Sequence, residues 1–95
     1  MFDKWRENRR ILKRELEIVG KEYERKSYDE LSKQTTEVYI DKVIEGKNLR
    51  FLVDRFDINE KNGDLGFCIE VCGLMRIWKI LGWQFFKRKD GTVYY

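Results

Sequence analysis

The sequence predicts an α+β fold: a long N-terminal helix and a short second helix packed on an antiparallel β-meander of four to five strands. Three observations predict it. Apolar residues recur at helical spacing through the first quarter of the chain. From Thr35 onward β-branched and aromatic residues replace that pattern. Glycine-bearing turns then fall at hairpin intervals, at Gly46, Gly63 and Gly91. The 95 residues suit one domain, with a helical segment over 1–34 and the meander over 35–95.

Residues 3–26 read as one helix with Asp3 as N-cap. Trp5, Leu12, Leu16, Val19 and Tyr23 form a single stripe, flanked by Ile11 and Ile18. The opposite face carries Arg6, Arg10, Lys13, Glu17, Lys21 and Glu24. Glu22 and Lys26 are spaced for an i,i+4 pair. Gly20 lies inside the stripe's span and is a candidate bend. The basic cluster Arg9, Arg10, Lys13 and Arg14 is interleaved with Glu7, Glu15 and Glu17, which is the pattern of a solvated face rather than a phosphate site.

Ser27-Tyr28-Asp29-Glu30 is a capping box, with Ser27 at N-cap and Glu30 at N3. It opens a second helix over about 28–34 that turns Leu31 inward. Strands follow at about 36–45, 49–58 and 65–72. The turns between them are Glu45-Gly46-Lys47-Asn48 and Glu60-Lys61-Asn62-Gly63-Asp64. In the third strand Leu65, Phe67, Ile69 and Val71 share one face, and Gly66, Cys68, Glu70 and Cys72 the other. A last hairpin turns at Asp90-Gly91 and pairs 83–89 with 92–95. A rival, winged-helix-like reading takes Tyr39, Ile40, Val43, Ile44 and then Leu49, Leu52, Val53, Phe56 as helical faces. Leu74, Ile77, Trp78 and Leu81 fit helical spacing best, so 74–82 stands open between helix and strand.

Three segments carry a resemblance: Ser27 to Leu31, Asn62-Gly63-Asp64-Leu65 through Gly73, and Phe86-Lys87-Arg88-Lys89-Asp90-Gly91-Thr92-Val93-Tyr94-Tyr95. Together they resemble small uncharacterised bacterial proteins, often cyanobacterial, of helix-plus-β-meander type. The resemblance covers most of the chain. Its motifs are turns and caps, and it implies no activity.

Composition narrows the function classes. Charged residues make up 39%, well above the usual ~25%. The net charge of +3 is unevenly spread: +2 over 1–34, −3 over 35–72 and +4 over 73–95. No apolar run is long enough for a transmembrane helix, and the N-terminus has no secretory pattern, so the expectation is a cytoplasmic protein with no membrane partner. Cys68 and Cys72, four apart on a strand, are about 13 Å apart, too far for a disulfide. They read as reduced thiols and small core hydrophobes.

There is no histidine, which removes His-based nucleophile activation and His metal ligands. Asp54, Asp57, Glu60 and Asp64 gather near a turn, but the glycine and Glu70 miss the calcium-loop spacing. No catalytic, metal or cofactor residue is expected, nor enzymatic activity. The basic-aromatic C-terminal run supplies the candidate partner-binding residues: Trp78, Lys79, Trp83, Phe85, Lys87, Arg88 and Lys89. Phe2 and Trp5 are a second candidate patch. Aromatics beside cations can stack on bases and hold phosphates. The plainer reading is that the aromatics pack the sheet while Lys and Arg keep its edge solvated. The expected function is a non-catalytic binding or protein-interaction module, with a protein partner or self-association. The alternative is a small nucleic-acid-binding protein.

Overall fold

The computed structural model describes residues 2–59, 62–72 and 79–95, and their side chains apart from those of 2–6, 57–59, 72 and 79–81. The fold is α+β. Helix α1 runs Phe2–Arg25, and α2 runs Tyr28–Ser32. Five strands follow: β1 Val38–Ile44, β2 Lys47–Asn59, β3 Asp64–Cys72, β4 Lys79–Lys87 and β5 Val93–Tyr94. They form one antiparallel sheet in chain order, β1-β2-β3-β4-β5.

The rival helical readings of 39–44 and 49–56 do not hold. Those residues pair as β1 and β2, with Ile44 opposite Lys47 across the two-residue turn Glu45-Gly46. Both turn residues have positive φ, 51° and 76°, the requirement of a turn whose twist matches the flanking strands. Residues 79–82 belong to β4. Leu74, Ile77 and Trp78, which suggested a helix there, lie outside the described residues.

Helix α1 buries Ile11, Leu12, Leu16, Val19 and Tyr23 against Leu49, Phe51, Val53, Leu65, Phe67, Ile69, Val71 and Phe85 of the sheet. At the centre Phe67 stacks on Phe85 at 5.5 Å, with Tyr23 tilted against Phe67 at 6.4 Å. Ile18 is 47% exposed, because it falls outside the buried stripe. Gly20 marks no break in α1. It is where the Trp83 indole meets the helix: a Cβ there would lie 2.7 Å from Trp83 Nε1.

Ser27 caps α2 as expected, its hydroxyl accepting the Glu30 N–H at 3.1 Å. The Glu30 carboxylate turns to Lys26 instead, at 3.4 Å. That contact, rather than one with Glu22, is where Lys26 goes. Five residues make a weak helix, and its far end is held from the sheet. Arg55 of β2 donates to the carbonyls of Ser32 and Gln34 at 2.9 and 3.0 Å, and Gln34 Nε2 donates to Val53 O at 3.2 Å. Leu31 is 2% exposed beneath them.

Candidate interaction face

Alternation along the strands decides where the candidate residues point. Phe85 lies opposite Phe67, Trp83 opposite Ile69 and Lys87 opposite Leu65, so all three face the helix. Phe85 is fully buried and Lys87 is 5% exposed, so neither can present a surface to a partner. Trp83 is half-buried against Gly20, with the Lys21 amine 5.6 Å above its ring. Arg88 is exposed but occupied: its guanidinium lies 4.3 Å over Tyr94 and Nη1 donates to Thr92 at 3.3 Å. Lys89 is exposed on the last turn. Lys79 pairs with Cys72 through the backbone, but its side chain, all of Trp78, and the side chains of Phe2 and Trp5 lie outside the described residues. The expected basic-aromatic patch is therefore not one surface.

Lys87 has a structural task. Its Nζ donates to the carbonyl oxygen of Glu24 at 2.8 Å. That carbonyl belongs to the last turn of α1, where carbonyls have no partner within the helix and a cation is favourable. Glu24, assigned by periodicity to the solvated face, is buried at 9% exposure. Its Oε1 accepts the Tyr95 hydroxyl, and that hydrogen bond keeps the Tyr95 phenol protonated above its ordinary range. Glu24 Oε2 and Trp83 Nε1 are buried without a hydrogen-bond partner. Sequence periodicity could not find this cluster, because it joins residues 63 positions apart.

The other face of the sheet carries no helix among the described residues. Tyr39, Asp41 and Val43 of β1 lie there, followed across the sheet by Arg50, Leu52, Asp54 and Phe56, then Gly66, Cys68 and Glu70, then Gln84 and Phe86, and last Tyr94. At the β5 end an aromatic row forms. Phe56 packs over Gly66, meets Phe86 edge-on at 5.7 Å, and Phe86 stacks on Tyr94 at 4.9 Å. The row covers itself, and each of its three rings is only partly exposed. The Tyr94 hydroxyl donates to Asp64 Oδ2 at 2.6 Å, which raises the phenol's pKa.

The β1 end is different. Tyr39 is 57% exposed and Val43 is 69% exposed. Between them Asp41 accepts from Arg50 Nε and Nη2 at 2.8 and 3.2 Å, and this hydrogen bonding holds its carboxyl below the ordinary range. The Arg50 guanidinium also lies 5.5 Å over the Tyr39 ring. The planar Arg50 guanidinium thus contacts both a carboxylate and an aromatic ring on this face.

Cys68 corrects a further expectation. It lies on the open face, half-buried, with Sγ 3.7 Å from Glu70 Oε1; the Cys72 side chain is outside the described residues. The turn carboxylates separate as well. Asp64 is taken by Tyr94 and Asp54 is exposed on the open face, while the side chains of Asp57 and Glu60 are not described. Among the described residues no group of three or more His, Cys, Asp or Glu is placed to hold a metal ion, and no helix is long and apolar enough to cross a membrane. Compared with family models, curated proteins and solved structures, the chain matches none.

Proposed function

We propose that the chain is a non-catalytic protein-interaction module whose contact surface is the open side of the sheet along β1. One observation carries the reading. Two side chains of the edge strand β1, Tyr39 and Val43, stand 57% and 69% exposed on a face that no helix of the described residues covers. Exposed tyrosine held rigid by neighbours is a favoured contact residue, because little rotamer entropy is lost on binding. A reducing cytoplasm suits the Cys68 thiol on the same face.

Nucleic acid is the less favoured partner. Lys87 is buried, Arg88 is engaged with Tyr94, and the open face sets Asp41, Asp54 and Glu70 against Arg50. A strand-tracking groove needs an excess of cations.

The test is Tyr39→Lys together with Val43→Lys. Salt-resistant association, read by light scattering or by pull-down, should weaken roughly tenfold or more while circular dichroism stays unchanged. Association that survives the double substitution would overturn the reading. Wild-type chain should shift neither DNA nor RNA in a gel at about 50 mM salt.

A further inference from the structure

The backbone geometry of β1 bears on what the partner would be. The Ile44–Lys47 pair closes a two-residue hairpin, so its backbone groups bond each other. Alternation then turns the N–H and C=O of Asp41 and Val43 away from β2, toward the edge. Among the described residues no strand lies beyond β1. The opposite edge is blunted, since β5 is two residues long. On the helix side Val38, Ile40 and Ile44 are only partly buried.

The sequence of β1, Val-Tyr-Ile-Asp-Lys-Val-Ile, is apolar at mirrored positions about Asp41, apart from the Ile40–Lys42 pair. Set antiparallel to a copy of itself and centred on Asp41, all seven residues pair. Val38 falls opposite Ile44 of the second copy on the helix side, and Tyr39 opposite Val43 on the open side, each twice. A shift by one residue would send every side chain to the wrong face. A shift by two would set Tyr39 against either Asp41 or Glu45, and in the second case Lys42 against Lys42.

We propose that β1 pairs with β1 of a second copy of this chain, antiparallel and centred on Asp41, joining two five-stranded sheets into one of ten strands. The inference rests on the protein-interaction reading and names its partner. The two Asp41 carboxylates meet at the two-fold axis, each already hydrogen-bonded to its own Arg50. Like charges directly opposite weaken a strand pair. Seven paired residues also fall short of the ~800 Å² per partner of a standard stable interface, so the dimer is weak and concentration-dependent.

Sedimentation equilibrium over a concentration series tests this. Wild-type chain should show dimer growing with concentration. Asp41→Asn keeps the edge N–H and removes the facing charges, so dimerisation should tighten about two- to fivefold. Asp41→Pro removes an N–H that β2 does not use, and should leave a folded monomer. Should that variant not fold, Tyr39→Lys with Val43→Lys supplies the same loss from the side chains alone. A dimer indifferent to Asp41→Pro, or a wild-type chain still monomeric at roughly millimolar concentration, overturns the self-pairing. The interaction reading then survives if the two lysine substitutions still abolish binding to another protein, and falls with the self-pairing if they do not.

Discussion

Gly20 and Lys87 each do something their residue type does not announce. In an exposed helix, Gly20→Ala would stabilise by about 1 kcal/mol. Here a methyl group would sit 2.7–2.8 Å from three atoms of the Trp83 indole. The rigid ring must move, and overpacking of this kind costs about 1–3 kcal/mol. Gly20→Ala should therefore lower stability in urea denaturation, and should raise it by about 1 kcal/mol once Trp83 is already Ala. A loss of the same size in both backgrounds would show that the indole is not the cause. Lys87→Met keeps the buried aliphatic stem and removes the amine that caps the Glu24 carbonyl. The expected loss is about 1–2 kcal/mol, read from the shift in the denaturation midpoint.

Two elements are held by carboxylates that titrate low. Asp41, through Arg50, ties β1 to β2, while Asp90 accepts from the Thr92 side chain and backbone at 2.7 and 2.9 Å and shapes the β4–β5 turn. Those hydrogen bonds hold both carboxyls below their usual 3.8. A carboxyl with a depressed folded pKa contributes stability that is present above the unfolded value and is lost as pH falls through the folded one. Both hairpins should therefore loosen only below about pH 3.8, with the two Asp side chains titrating late in carboxyl-detected NMR. At the other extreme, Tyr94 and Tyr95 are raised by hydrogen bonds to Asp64 and Glu24. Their contribution is present below the free phenol value of 10.0 and disappears as pH rises through the folded values. Ultraviolet titration should find these phenols among the last to ionise. The Ser27 cap is an independent element-scale test: Ser27→Ala should cost about 1 kcal/mol in the same denaturation assay.

At the scale of the molecule, one layer of helix lies on one face of one sheet. Phe85 and Phe67 stack at its centre, both fully buried. Phe85→Ala should cost about 3–5 kcal/mol, a large share of the 5–15 kcal/mol typical of a native fold. A loss under 1 kcal/mol would contradict the assignment of this ring to the core. Among the described residues no helix lies on the other face and no strand lies beyond β1.

Much of this was legible in the residues themselves. Helical spacing announced α1, Ser27 and Glu30 announced α2, and β-branched runs between glycine turns announced the first three strands, because those signals are local. Strand alternation also separates Leu65, Phe67, Ile69 and Val71 from Gly66, Cys68 and Glu70. What alternation cannot say is which face receives the helix. That choice put Cys68 on the open side, put Phe85 and Lys87 inside, and dissolved the aromatic-basic patch that composition suggested. It was made by packing between segments far apart in the chain, Gly20 against Trp83 and Glu24 against Lys87. The free energy of such contacts depends on distances that exist only once the chain has folded. The sequence by itself determined the elements and their order; tertiary structure decided which side of the sheet is core and which is surface.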